Sequence, residues 1–272
     1  MPSSPNCGSR PSMQHGKTFV QRKRLGLALS GGGTRGLAHV GALQVLAETG
    51  VEWHAVAGTS VGSLVGAVLA AGKSVTDLSE MAHRLRWRHL ARPVWPRRGF
   101  LTLAPLERFL TGILGADLRI EDLPLPYACV ATDVMTGAEC VFRSGRLAPR
   151  VRASCSVPGV FQPVDIDGRL YVDGGTVNNL PITPLQAMDV DVILAINLFG
   201  PPSYLPSDFI GYAMTVLGFM LVRAGDDPSL ADVLVEPDLT GHGIVRRHYD
   251  LFVQRGREAM RARLPELLDL LA

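Results

Sequence analysis

Short, nearly continuous apolar runs alternate along this chain with stretches whose apolar residues recur every three or four positions. Leu25 to Leu29 is the first run, closed by glycines, as suits a strand buried on both faces. Ser30-Gly31-Gly32-Gly33-Thr34-Arg35-Gly36 follows, and then Leu37, Val40, Leu43, Leu46 and Ala47 fall at helical spacing up to Gly50. Ala55 to Ala57 repeats the strand and Val61 to Ala71 repeats the helix, with Gly62, Gly66 and Ala70 four apart as a smooth face for close packing. Two such units in succession imply parallel strands joined by right-handed crossovers.

Ser74 and Asp77 are placed to cap a third helix that turns basic through Arg84, Arg86, Arg88 and His89. Leu106 to Leu114 reads as a short helix. Tyr127 to Val134 and Glu139 to Phe142 read as strands around Thr136-Gly137, and a two-residue turn there would set Cys140 opposite Asp133, not Cys129. Asp167-Gly168 between Val164–Ile166 and Arg169–Val172 is a strong hairpin signal. After Asn178-Asn179-Leu180-Pro181 a short helix reaches Met188, and Asp191 to Asn197 forms a last buried strand. Residues 204–224 read as helix, Val233 to Val235 as an edge strand, and Tyr249 to Leu271 as helix with a break near Pro265. The chain has no internal repeat.

With 272 residues, 47% hydrophobic and 19% charged, the chain can bury a sizeable core and is not disordered. One domain is expected over 24–272, its motif core ending near 197, after a polar, disordered leader at 1–23. A net charge of +2 gives no global pull toward nucleic acid, which is not an expected partner. Cys7, Cys129, Cys140 and Cys155 form no C-x-x-C pair and no metal-ligand spacing with histidine, so no zinc site or redox motif is supported and a reducing, cytoplasmic setting is expected. The apolar run Phe209 to Val222 falls short of the roughly 20 residues of a membrane span, leaving at most peripheral contact with the inner membrane face. Arg92, Trp95, Arg97 and Arg98, with Trp87 upstream, mix cations and indoles as an anionic membrane surface favours; a solvated helix end and loop is the plainer reading.

The chemistry centres on Gly58-Thr59-Ser60-Val61-Gly62, a G-x-S-x-G between a strand and a helix. Such a turn exposes a serine hydroxyl at a helix N-terminus, where the potential is positive. A serine nucleophile needs a base and donors for the oxyanion it creates. Gly31, Gly32 and Gly33 offer consecutive N–H groups unblocked by side chains, and Arg35 either holds that loop or meets a phosphate. Gly31, Gly33 and Gly36 also spell the dinucleotide fingerprint, but the second strand runs straight into Ser60 and no acid stands at its end for a ribose. His15, His39, His54, His83, His89 and His248 are poorly placed as base, and His242, in Gly-His-Gly, is the one histidine left open for that role. Asp173, ending a strand ahead of two glycines, could take the proton directly if burial raised its affinity; alone it would read as the cap of a tight turn.

Taken in order, Gly31 to Gly36 (G-G-G-x-R-G), Gly58 to Gly62 (G-x-S-x-G), Ala153-Ser154 to Pro158 (A-S-x-x-x-P) and Asp173 to Gly175 (D-G-G) resemble the patatin-like phospholipases, in particular the short bacterial members. The resemblance covers about residues 24–197. It implies a three-layer α/β/α sandwich with a mostly parallel sheet, and a serine-aspartate dyad without histidine. By motif, Ser60 would be the nucleophile, Asp173 the general base, and Gly31 to Gly33 the oxyanion hole, with Arg35 at the substrate. A lipid ester is the implied substrate, and neither cofactor nor metal is implied. The expected activity is acyl-ester hydrolysis of phospholipids or lysophospholipids; the same dyad would permit acyl transfer or thioester hydrolysis, and a vestigial dyad would leave a lipid-binding regulator. Residues 204–224 are the expected acyl channel, cover or core helix.

Overall fold

Leu25–Leu29 forms β1, buried along its whole length, and its side chains alternate between two unlike faces. Leu25, Leu27 and Leu29 enter a large core, whereas Ala28 enters a thinner one shared with Ala55, Ala57, Ala128 and Ala195. The same alternation between the two cores runs through β2 (Ala55–Thr59), β5 (Tyr127–Asp133) and β9 (Val192–Ile196), with Val56, Cys129 and Leu194 in the large core and Ala57, Ala128 and Ala195 in the thin one, which Ile193 also enters. The computed structural model describes residues 23–199, 212, 216, 220, 223–242 and 248–272. The expected leader and the expected 204–224 helix lie outside these, apart from residue 23, the helical positions 212, 216, 220 and 223, and residue 224, which forms a bend after the helix.

Among the described residues the sheet has eight strands, in the order β10-β9-β1-β2-β5-β8-β7, with β6 pairing with β5. Here β6 is Glu139–Phe142, β7 Val164–Ile166, β8 Arg169–Asp173 and β10 Val233–Val235. From β10 to β5 the strands are parallel; β6 and β8 run antiparallel to β5. The large-residue face is covered by α1 (Leu37–Glu48), α2 (Val61–Ala70), α3 (Val75–Arg84), α5 (Ala104–Leu114), α6 (Leu147–Ser154) and α8 (Tyr249–Leu271). Leu180, Ile182 and Leu185, around the short α7 (Thr183–Gln186), pack on the alanine face. This is a three-layer α/β/α sandwich with a mostly parallel sheet, as the family resemblance implied. No helix among the described residues is long and apolar enough to cross a membrane.

Local chemistry accounts for several boundaries. Ser74 and Asp77 form a reciprocal capping box at α3, with Asp77 N–H donating to Ser74 Oγ at 3.1 Å and Ser74 N–H to Asp77 Oδ2 at 3.0 Å. Asp167 and Gly168 have φ 53° and 80°, which a tight two-residue hairpin turn requires. Elsewhere the expectations need correction. The β5–β6 connection closes on Asp133 N–H to Ala138 O, a four-residue loop, so Cys140 lies opposite Ala131 instead of Asp133. Asp133 Oδ1 accepts from the N–H groups of Met135 and Thr136, and this Asx geometry replaces the tighter turn. Helix α3 stops at Arg84, and α4 (Trp87–Leu90) is a separate turn, because Leu85 is extended and Arg86 N–H donates to His89 Nδ1. Nor does α8 break at Pro265: Met260 and Leu267, buried on either side, hold both halves against one core.

Helices α1 and α8 cross at a contact made by two glycines. A Cβ at Gly41 would strike the Val253 carbonyl, and one at Gly256 would strike that of Ala38. Gly256→Leu should therefore destabilise by about 2–3 kcal/mol in urea titration, because the helices must part. Gly112, exposed in α5 with nothing near its missing Cβ, is the control. Gly112→Ala should stabilise by roughly 0.5–1 kcal/mol.

Candidate active site

Strand β5 has one edge on which two strands meet end to end. Strand β2 pairs with its first half, up to Thr59 opposite Val130, and then leaves at the turn. Strand β8 arrives from the other direction and stops with Asp173 opposite Ala131. Because β6 occupies the far edge of β5 over Cys129 to Thr132, the ends of β2 and β8 must share the near one. Ser60 and Asp173 are thus brought together by strand register, although 113 positions apart.

The turn at Ser60 is tight. Ser60 has φ 51° and ψ −123°, a conformation costing about 1–3 kcal/mol that persists only where the surroundings over-determine it. They do so here through both of its backbone groups. Ser60 N–H donates to Ser154 Oγ at 2.9 Å, while Ser60 O accepts from Ser63 Oγ at 2.6 Å and Cys155 Sγ at 3.2 Å. Cβ atoms at Gly58 or Gly62 would run into the backbones of Gly62 and Ser63, or of Leu29 and Ser30. The flanking glycines are therefore steric necessities.

Asp173 is buried, 4% exposed, and held on three sides. Its N–H donates to Ser156 O at 2.9 Å, its carbonyl accepts from Thr132 Oγ1 at 3.0 Å, and its Oδ1 accepts from Gly175 N–H at 2.8 Å. Burial raises the carboxyl to about 6, with the Ser60 hydroxyl and the Gly175 N–H pulling the other way. The Ser60 hydroxyl is near enough to influence the carboxylate, yet Asp173 Oδ2 has no completed hydrogen bond. Gly174 passes directly over the Val130 carbonyl, where a Cβ would clash, so the first glycine after Asp173 lets β8 end against β5.

The glycine loop sits beside this pair, a Cβ at Gly31 coming within 3.3 Å of that of Ser60. The N–H of Gly31 donates to Asn179 O at 3.0 Å, whereas Gly32 and Gly33 have no such partner among the described residues. Gly33, at φ 57°, requires glycine's freedom. Arg35 turns its guanidinium to main-chain carbonyls, with Nη2 donating to His242 O at 2.6 Å and Nη1 to Leu198 O at 3.2 Å. It also lies over the Phe199 ring, and burial lowers its proton affinity. Of the two expected roles for Arg35, these contacts are those of holding the loop.

Among the described residues no histidine is a partner of Ser60 or Asp173. His39 is buried, and its Nε2–H reaches Ser30 O at 2.9 Å; burial takes it down to about 4, so it is neutral and braces the start of the loop. His54 Nδ1 accepts from Leu25 N–H. His15 lies outside the described residues.

An apolar cavity of about 370 Å³ opens on Ser60 and Gly33. It runs along the Val61, Leu64, Val65 and Val68 face of α2, between α1, α3 and α5. Sequence reasoning missed this lining, since the same periodicity reads as ordinary core. It also gave no task to Ser154, Cys155 and Ser156, which lie in the A-S-x-x-x-P block and hold Ser60 N–H, Ser60 O and Asp173 N–H in turn. Asn178 and Asn179 were missed too, though paired amides just beyond D-G-G were the available signal. Asn178 O accepts from Thr59 Oγ1 at 2.8 Å, tying β2 to the chain beyond Asp173.

Known proteins resemble this chain in sequence or in fold. The family model for patatin-like phospholipase matches residues 27–185. An uncharacterised NTE family protein of Mycobacterium tuberculosis is 37% identical over 65% of this chain and 49% of its own length. The lysophospholipase NTE1 of Saccharomyces cerevisiae is 30% identical over 78% of this chain and 13% of its own. This chain thus spans about half the length of the mycobacterial relative and a small part of the yeast one. Among solved structures, VipD from Legionella pneumophila superposes with a TM-score of 0.62 at 15% identity, over 90% of this chain and 67% of that one. ExoU of Pseudomonas aeruginosa, in complex with SpcU, gives 0.52 at 13% identity over 92% and 53%. These two share the fold. With more than half of its length matched by the family model, the chain belongs to the patatin-like phospholipase family.

Proposed function

We propose that this protein is a serine hydrolase of fatty acyl esters in phospholipids or lysophospholipids, acting through Ser60 and Asp173. One observation carries the reading: a buried carboxyl, raised to about 6 and with one oxygen unpartnered, beside a serine on a strained strand-to-helix turn. Asp173 takes the hydroxyl proton as Ser60 Oγ bonds to the ester carbonyl carbon. The N–H groups of Gly32 and Gly33 receive the oxyanion, each such donor contributing roughly 3 kcal/mol. Asp173 returns the proton to the departing alcohol. Water then attacks the acyl-enzyme, Asp173 takes its proton, and the fatty acid leaves as Ser60 recovers its own. Family membership and the name lysophospholipase borne by the yeast relative support the lipid substrate. The cavity supports an acyl chain, being apolar and within the roughly 300–1,000 Å³ usual for ligand pockets.

Ser60→Ala should lower hydrolysis of a lysophospholipid by roughly 10⁴-fold or more in a released-fatty-acid assay, with folding intact by circular dichroism. Asp173→Asn should lower it by roughly 10²–10⁴-fold, since an amide cannot accept the proton. Wild-type turnover in either variant overturns the dyad.

Since Asp173 must be ionised to act, kcat/KM should rise with pH and level off above about 6. Stability should run the other way. The carboxyl is raised from its ordinary 3.8 to about 6, so the folded chain binds the proton more tightly than the unfolded chain, and stability is lost as pH rises through that window. Asp173→Asn should accordingly be more stable than wild type above pH 6, by on the order of 2 kcal/mol, with the gain gone below about pH 4. Urea unfolding at pH 4 and 8 reads both arms.

Val68 lies two helical turns, about 10 Å, along α2 from Val61. Val68→Phe should shift preference toward shorter acyl chains across a series of esters, with a melting temperature still above the assay temperature. An unchanged chain-length profile would take the acyl chain out of this cavity.

A further inference from the structure

From Met81 to Leu106 the chain contains six arginines and no carboxylate, so a chain of net charge +2 would stand at −4 without them. Much of that charge is gathered on one built feature. Strands β3 (Arg92–Pro93) and β4 (Leu101–Thr102) pair as a two-stranded ribbon separate from the main sheet. Between them, residues 94–100 form a loop fixed at its base. Phe100 and Leu101 N–H both donate to Val160 O at 3.0 Å, and Gly99 is pressed against the Phe161 and Gln162 backbone. The side chains around this anchored base face outward, Trp95 at 80% exposure and Phe100 at 67%. Arg92, Arg97 and Arg98 are exposed beside them and make no ion pair among the described residues.

Position makes the feature specific. The loop is bracketed in sequence by Leu90 and Leu103, and its anchor includes Phe161; all three line the apolar cavity. Arg86 lines that cavity and is exposed, so the cavity reaches the surface at the end of α3. Large aromatic side chains held out on a fixed loop, ringed by unpaired arginines at an apolar opening, match the layered chemistry of an anionic bilayer: phosphates outside, acyl chains beneath. A wholly solvated loop would gain nothing from two exposed aromatic rings.

We propose that the 94–100 loop is a docking surface for an anionic lipid bilayer, seating Trp95 and Phe100 among the headgroups while Arg92, Arg97 and Arg98 meet lipid phosphates. That the docked surface delivers an acyl chain into the cavity rests on the hydrolase reading; the docking does not.

The test uses the full chain carrying Ser60→Ala, so that vesicles stay intact, in co-sedimentation with vesicles of phosphatidylcholine mixed with phosphatidylglycerol or of phosphatidylcholine alone. Binding should require the anionic lipid and weaken with salt. Arg97→Glu with Arg98→Glu should weaken it by about thirtyfold or more. Trp95→Ala with Phe100→Ala should also release the protein, and both double variants, with Ser60 intact, should turn over a water-soluble short-chain ester at the wild-type rate. Equal binding to neutral vesicles, undiminished binding in both folded variants, or tighter binding of single-stranded RNA than of vesicles overturns the docking surface. Absence of ester turnover in wild type with docking preserved would count against the hydrolase reading alone.

Discussion

One edge of strand β5 is shared by two strands that run into each other, and the site depends on that collision. Thr59 and Asp173 end their strands opposite Val130 and Ala131, consecutive residues of a single strand. Neither strand can be extended without displacing the other. Each must therefore leave the sheet at once, β2 through the turn at Ser60 and β8 through the glycines after Asp173. The glycines on both sides follow from this crowding: Gly174 clears the Val130 carbonyl, Gly58 clears the backbone of Gly62 and Ser63, and Gly62 clears that of Leu29 and Ser30. The residues 154–156 then bridge the gap, gripping Ser60 through its N–H and carbonyl and Asp173 through its N–H.

This arrangement is costly to the folded state. A serine at φ 51° is strained, and a carboxyl at 4% exposure resists ionisation. Both are stable because the surroundings leave them no alternative. The leucines of β1 and the apolar faces of α1, α2 and α8 form one continuous core beneath the site, and close-packed interiors yield little to local strain. Neutral His39 under the glycine loop and Arg35 across it add polar bracing to Gly32 and Gly33, whose N–H groups have no backbone partner among the described residues. Preorganisation of this kind is what electrostatic stabilisation of an oxyanion needs, since donors already in place cost no reorganisation during reaction.

Two features fall at the surface opening of the same core. The cavity follows the α2 face that begins beside Ser60, while the arginine-rich ribbon hangs from Val160 to Gln162, just beyond residues 154–156. One segment of chain thus supports Ser60, lines the cavity and anchors the exposed loop. A disturbance in it would reach all three. The likeness to VipD and ExoU at 15% and 13% identity speaks to the layered fold that permits this, since so low an identity preserves packing more readily than surface chemistry.

Elements governed by short-range physics were legible in the chain itself. The strand at Leu25–Leu29, the capping box at Ser74 and Asp77, the hairpin at Asp167-Gly168 and the turn at Ser60 each rest on residues within a few positions of one another. Where the structure departed from expectation, the causes were of two kinds. Pro265 stays helical because Met260 and Leu267 are held by a distant core, whereas the β5–β6 loop is set locally, by Asp133 Oδ1 accepting from Met135 and Thr136. The identity of the glycines, serine and aspartate, and their order, were determined by sequence alone. That Ser60 meets Asp173, that Ser154 and Cys155 hold the Ser60 backbone, that Gly31 donates to Asn179, and that α2 faces a cavity and not a filled core were decided only by tertiary structure. The reason is physical: a turn or cap is specified by neighbours along the chain, whereas burial and strand register are properties of the whole packed sheet.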